Sequence, residues 1–266
     1  MRMTRLVRLS SLVAVVLAGA FVGIGSVGAA GSAPVTCSGG SIPSGTYSTL
    51  TVSGACSLDS GAVIVQGDLN VVSGGALFAD FGGSDLIVGQ NLNVNTNSVL
   101  VLGCEPGAFI CINDTDQTVG TMMTHDLIGG NLIANGALAI IVHKSVIDGD
   151  ASVIGGGGGV SCDPPAVLYT SPAFGTFEDN VIGHDAVIAG WQSCWLGFIR
   201  NTVVGDVSYD QNVTLDPDAN EVVTNVILGK LNCFGNAPAP QIGDSMGSLN
   251  EVPGGATGQC QPLVAP

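Results

Sequence analysis

The sequence predicts an all-β chain wound as a right-handed parallel β-helix of about eight coils with two loop insertions. Three observations predict it. A seven-residue phrase (apolar, any residue, usually Gly, then Asp or Asn, apolar, any residue, apolar) first reads Val65-Gln66-Gly67-Asp68-Leu69-Asn70-Val71 and returns around Asn91, Asn131, Asp150, Asp185, Asp206 and Lys230. Those centres lie 23, 40, 19, 35, 21 and 24 residues apart. The four short spacings are each one coil, 40 reads as two coils, and 35 as one coil plus an insertion. Helical periodicity is absent beyond the N-terminal segment, and a chain with 40 glycines disfavours helices. A coil buries apolar side chains only by stacking on its neighbours, so a repeat of this period points to a solenoid.

The N-terminus reads as an export signal covering residues 1–30. Arg2, Arg5 and Arg8 precede an apolar stretch from about Leu12 to Ile24, and small residues follow to Ala33. Cleavage is expected after Ala30, with Ala29 and Ala33 as alternatives. Glycines interrupt the apolar run, which is also short for a spanning helix of about 20 residues. The mature chain, 31–266, is expected as a single domain without a membrane span, secreted or held at the cell surface. It keeps Lys144, Arg200 and Lys230 as its 3 basic residues against 21 acidic ones, a net charge of −18. Such a surface repels nucleic acid and anionic lipid, and leaves extracellular glycan or cell-envelope material as the expected partner.

All eight cysteines (Cys37, Cys56, Cys104, Cys111, Cys162, Cys194, Cys233 and Cys260) lie in the mature part. An even count in an exported chain implies disulfides. The layout favours pairing of sequence neighbours: Cys37–Cys56 across one coil, Cys104–Cys111 around a small loop, Cys162–Cys194 tying an insertion to the next coil, and Cys233–Cys260 pinning the tail. With no C-x-x-C pair and three histidines, zinc is not expected.

Each phrase justifies its own strand. Leu69 and Val71, Leu92 and Val94, Leu132 and Ala134, Ala151 and Val153, Ala186 and Ile188, Val207 and Tyr209 alternate, so each pair should face the interior. The Gly position (Gly67, Gly130, Gly149, Gly205, Gly229, with Gln90 and His184 as exceptions) suits a bend with φ > 0, and the neighbouring Asp or Asn suits hydrogen bonds within a turn. Asn180, Asn201 and Asn225 recur five residues before their centres, which stacks them at one corner as an amide ladder. The insertions are expected over about 104–124 and over 155–176. Prolines near the tail and the two terminal disulfides are expected to cap the ends, which predicts a monomer.

The opening Cys37-Ser38-Gly39-Gly40 through Gly54-Ala55-Cys56-Ser57-Leu58, the coil phrase, and the ending Gly229-Lys230-Leu231-Asn232-Cys233-Phe234-Gly235-Asn236 with Thr257-Gly258-Gln259-Cys260 resemble secreted, disulfide-containing parallel β-helix proteins of actinobacteria. The resemblance spans nearly the whole mature chain and implies fold and export, but no reaction. The phrase is also similar in architecture to that of bactofilins, which polymerise through stacked coils but are cytosolic and lack disulfides. Pectate-lyase-like β-helices share the architecture too.

Candidate sites are few, and no catalytic residue or cofactor is expected. Lyases on this fold need a basic residue and calcium-holding carboxylates, and no pattern around the three basic residues supplies them. Asp179 and Arg200 each stand six residues before a centre and should stack as a surface ion pair. Glu178 and Asp179 are adjacent in sequence, so in a strand they should point to opposite faces. His125, His143 and His184 read as surface or turn residues. Asp216, Asp218 and Asn220 alternate as in a calcium loop, but Glu221 and Ile227 stand where an EF-hand needs Gly and Glu, so the loop reads as a plain turn; Asn113-Asp114-Thr115-Asp116 is weaker. Six of the thirteen aromatic residues fall within 169–198. Tyr169, Trp191 and Trp195 are therefore the candidate glycan contacts, against the simpler account of a small core packing the insertion onto the coils. The function expected is a non-enzymatic structural, adhesive or protective role, with a carbohydrate-active or carbohydrate-binding protein as the alternative.

Overall fold

A computed structural model describes residues 32–79, 84–103, 126–163, 174–243, 245 and 247–266. The signal segment 1–30, Cys104 and Cys111, the 113–116 turn, His125 and Tyr169 lie outside the described residues. Gly31–Pro266 forms one compact unit.

The chain is a right-handed parallel β-helix with three faces. Among the described residues face A has ten strands, from Val35–Cys37 to Ala256–Gly258. Face B has eight, from Gly40–Ile42 to Glu221–Val223, and face C eight, from Gly45–Tyr47 to Val226–Ile227. The chain visits A, B and C in turn, so there are eight complete coils, as the sequence predicts. Leu231–Phe234 and Ala256–Gly258 continue face A alone, with isolated bridges Glu221 to Gln241 and Val226 to Glu251 extending the other faces. At about 4.8 Å per strand the stack is on the order of 40 Å long.

The coil phrase builds face A. Leu69, Leu92, Leu132, Ala151, Ala186, Val207 and Leu231 stack in one column, and Val71, Val94, Ala134, Val153, Ile188, Tyr209 and Cys233 in a second. All are buried in the core. The 40-residue spacing is not the two coils expected. Leu92 pairs directly with Leu132, so Asn91 to Asn131 is one coil carrying an insertion, not two coils. That insertion leaves face B after Leu102 and rejoins face C at Leu127. The second leaves face A after Ile154 and rejoins face B at Phe174, so residues 174–176 belong to a strand rather than to the loop.

The Asp or Asn at each centre does not serve its own turn. Asp68 Oδ1 accepts the backbone N–H of Asn91, Asn91 that of Asn131, Asn131 that of Asp150, Asp150 that of Asp185, Asp185 that of Asp206, and Asp206 that of Lys230, at 2.8–3.0 Å. Each coil is thus bonded to the next by a side chain. The preceding glycine answers to this. None of Gly67, Gly130, Gly149, Gly205 and Gly229 has positive φ, contrary to expectation. Instead a Cβ at Gly205 would overlap Asp185 Oδ1, and one at Gly229 would overlap Asp206 Oδ1.

The corner between faces B and C carries the expected amide ladder, longer than the sequence showed. Asn180, Asn201, Asn225 and Asn250 each accept at Oδ1 from the backbone N–H one coil earlier (Ser145, Asn180, Asn201 and Asn225). Each Nδ2 donates to a carbonyl of that earlier coil: Val142, Phe177, Phe198 and Val222. The residues just before the donors Ser145, Asn180, Asn201 and Asn225, namely Lys144, Asp179, Arg200 and Thr224, turn the chain in the left-handed region, with φ of 47–58°. A third ladder runs between faces A and B, where Asn212 receives Trp191 N–H, Asn236 receives Asn212 N–H and Gln259 Oε1 receives Asn236 N–H.

Three of the four expected disulfides lie in the described residues and pair as the layout favours. Cys37–Cys56 joins the first coil to the second, Cys162–Cys194 holds the second insertion to its coil, and Cys233–Cys260 fixes the tail beneath the last strands of face A. Among the described residues no helix is long and apolar enough to cross a membrane.

The ladders yield a test. Asn201→Ala removes four hydrogen bonds and strands the Asn180 N–H and the Phe177 carbonyl. It should cost about 3–5 kcal/mol, whereas Asn93→Ala, which removes a half-buried bond to Asn70, should cost about 1 kcal/mol or less. Urea midpoints at unchanged m-value read the difference.

Candidate functional site

The one concentration of chemically competent side chains among the described residues lies on the outer side of face B. Strands Ala139–His143, Phe174–Glu178, Trp195–Ile199 and Glu221–Val223 pair in register, aligning His143 with Glu178, Ile199 and Val223. Val142, Phe177, Phe198 and Val222 alternate inward and fill the core, with the Phe177 and Phe198 ring centroids 6.4 Å apart. His143, Thr176 and Glu178 therefore point outward, yet all three are fully buried. Outward-facing apolar residues are buried beside them: Val99, Val101, Ala139 and Ile141 in one cluster, Trp195, Ile199, Ala219 and Val223 in another.

Glu178 Oε1 accepts from Thr176 Oγ1 at 2.8 Å, and its Oε2 from Arg200 NH2 at 2.9 Å. Arg200, one coil further on, also grips Asp179 with Nε and NH2, each at 2.8 Å. The predicted Asp179–Arg200 stacking is present, but the pair is part-buried rather than on the surface: the Arg200 side chain is 6 % exposed and Asp179 25 %. Nor do Glu178 and Asp179 diverge. Asp179 takes φ 57° at the corner, which breaks strand alternation and brings both carboxyls onto one guanidinium. His143 completes the group, with Nε2 3.4 Å from Thr176 Oγ1 and 4.0 Å from Glu178 Oε1; it is a core residue, not the surface histidine expected. His184 is the exposed corner residue that the sequence predicts.

Burial disfavours the charged forms of Glu178 and His143, so both move toward neutrality. Burial pushes Glu178 up to about 8 against the pull of Arg200. Burial, and then the Arg200 charge, lower His143 to about 3. Burial therefore favours a neutral imidazole and a protonated Glu178 beside the Arg200–Asp179 ion pair. This is an acid, a base and a hydroxyl within reach of one another, but packed where solvent does not enter.

The aromatic candidates are packing residues. Trp191 is fully buried in the core, its Nε1 donating to Ser193 Oγ at 2.8 Å. Trp195 is 6 % exposed and packs with Ile199, Ala219 and Val223. Neither presents a ring face on which a sugar could stack; Trp195 lies in a small separate cluster as the simpler account expects, whereas Trp191 belongs to the main core of the coils. Of the calcium candidates, Asp216 Oδ1 accepts from Asp218 N–H in a local turn. Asn220 faces inward, accepting from Tyr209 O–H and donating to the Pro238 carbonyl, so the three do not converge. No group of three or more His, Cys, Asp or Glu is placed to hold a metal among the described residues.

Sequence reasoning missed the His143–Glu178 alignment because the second insertion separates the two. The signal was present: each stands two residues before the corner, in His143-Lys144-Ser145 and Glu178-Asp179-Asn180, as Ile199 and Val223 do. No family model, curated protein or solved structure matches this chain.

Two predictions follow from the charges. Arg200→Gln leaves the buried Glu178 and the partly exposed Asp179 without their shared donor and should cost about 2–3 kcal/mol at pH 7 by denaturant titration. In the wild type, the unfolded His143 binds a proton between its ordinary 6.5 and about 3 while the folded one does not, so its contribution is lost as pH falls through that window. Folded Glu178 keeps a proton that the unfolded chain releases from 4.5 upward, so its contribution is lost as pH rises toward 8. His143→Gln should flatten the acid limb of a melting-temperature profile, and Glu178→Gln the alkaline limb.

Proposed function

We propose that the mature chain is a secreted, non-enzymatic β-helix rod with a structural, adhesive or protective role at the cell surface. The observation that carries this reading is the state of its chemical groups: His143, Thr176 and Glu178 are buried on the outer side of face B and joined to the Arg200 side chain, itself only 6 % exposed, rather than offered to a ligand. They join coils, as the corner ladders do. The −18 charge of the mature chain directs it away from nucleic acid and anionic lipid and toward neutral or cation-bridged envelope glycan. Disulfides linking coils at both ends suit an oxidising compartment outside the cell. The likeness to secreted actinobacterial β-helix proteins agrees with this placement.

A monomer fits the same reading. The first strands on each face have three residues and an adjoining Pro43, and short edges of this kind resist pairing with another chain. At the far end the 3₁₀ turn Gln261–Leu263 packs Leu263 against the core, and Cys260 anchors it.

The test is turnover. Purified mature protein incubated with a panel of neutral and acidic polysaccharides should release no new reducing ends or unsaturated products. Turnover that disappears in Glu178→Gln would overturn the reading and make the buried cluster an active site that opens.

A further inference from the structure

The corner between faces B and C has one member that departs from the rest. Leu127–Ile128, Val146–Ile147, Val181–Ile182, Thr202–Val203 and Val226–Ile227 pair in register, and Val226 bridges to Glu251. The residues immediately before these partners therefore form one column: Asp126, Ser145, Asn180, Asn201, Asn225 and Asn250. All six are buried. Leu127 also pairs with Ile87, which puts Leu86 in the same column one coil before Asp126.

Asp126 makes the bond that a ladder asparagine makes. Its Oδ1 accepts the Leu86 N–H at 2.8 Å, just as Asn180 Oδ1 accepts that of Ser145 at 2.9 Å. The difference is at the other end of the side chain. Where the asparagines have an Nδ2 that donates to the preceding coil, Asp126 has Oδ2, which is buried and has no hydrogen-bond partner. Ionised, that oxygen would be a lone charge in a site 2 % exposed. A proton on it removes that charge and leaves a neutral carboxyl that accepts at Oδ1 as the ladder amides do.

We propose that Asp126 carries a proton in the folded protein and serves as an asparagine surrogate, making its coil the pH-sensitive joint of the ladder. The surroundings agree. Burial raises Asp126 to about 8, the amide of Leu86 opposes this without overcoming it, and the charge of Asp85 on the preceding strand of face C adds to it. From the following coil the neighbour in the column is Ser145, whose hydroxyl donates to the His143 carbonyl, with Lys144 before it. The joint lies directly after the insertion that follows Leu102, at the return of the chain to face C. Release of the proton at alkaline pH would loosen the coil there while the Asn180–Asn250 part of the ladder keeps its amides.

Thermal melting of wild type and Asp126→Asn from pH 5 to pH 9.5 tests this. The folded wild type holds a proton that the unfolded chain gives up above about 4, so its melting temperature should fall relative to the variant by about 3 °C per pH unit up to pH 8 and then level off. Glu178 is present in both proteins and cancels from the difference. A gap between the two that stays constant with pH would overturn the proposal. Carboxyl-carbon NMR of wild type labelled at aspartate gives a second reading that does not depend on the variant folding. An Asp126 midpoint near 8 is expected, and a midpoint near 4 overturns the proposal.

Discussion

Side chains at the corners, accepting backbone N–H groups from the neighbouring coil, are the interaction on which the rest of this structure depends. The strands of faces A to C have two to five residues, so a large share of each coil is bend, where the strand ladder cannot satisfy every buried amide. Asp, Asn and one Gln take over at three corners. Because a carboxamide accepts from one coil and donates to it as well, it fixes the height and the rotation of successive coils together. It also tolerates variation in length. Coils of 19 to 40 residues keep the same register at face A, since whatever is inserted between corners, the corner residue returns to its column.

A solenoid of this kind ordinarily has one core, and this one buries apolar side chains on both sides of face B. The second layer changes the chemistry of whatever alternates outward. His143 and Glu178, which would be solvated on a bare sheet, are enclosed with Arg200 instead. Buried ion networks gain little net stability over apolar packing but punish any arrangement that leaves a member unpaired. The cluster therefore selects the pairing of these particular coils more than it strengthens them. Asp126 shows the same logic at a single residue, where burial and an amide-shaped site settle the protonation state.

The inward residues of the phrase, the Asn180–Asn201–Asn225 ladder and the disulfides Cys37–Cys56, Cys162–Cys194 and Cys233–Cys260 were legible because each repeats or pairs at close to one coil in sequence. Trp191 and Trp195 show the limit of composition: their clustering marked a place of dense packing, and only the direction of each ring separates core from contact surface. The glycines before each centre were placed correctly for the wrong reason, since the close approach of an oxygen from the coil above is not a local property. The spacing of 40 was ambiguous because a long coil and two short ones have the same length.

By itself the sequence determined a parallel solenoid of about eight coils, the residues lining it and the cysteines that close it. Those follow from periodicity and from alternate residues of a strand facing opposite ways. What only the tertiary structure decided is which outward groups meet and in which charge state. Two facts set this: Asp179 adopts a left-handed conformation that turns its carboxyl toward Arg200, and face B is covered on its outer side. Desolvation acts on the assembled neighbourhood, so the upward shifts of Glu178 and Asp126 and the downward shift of His143 arise only once the coils have stacked.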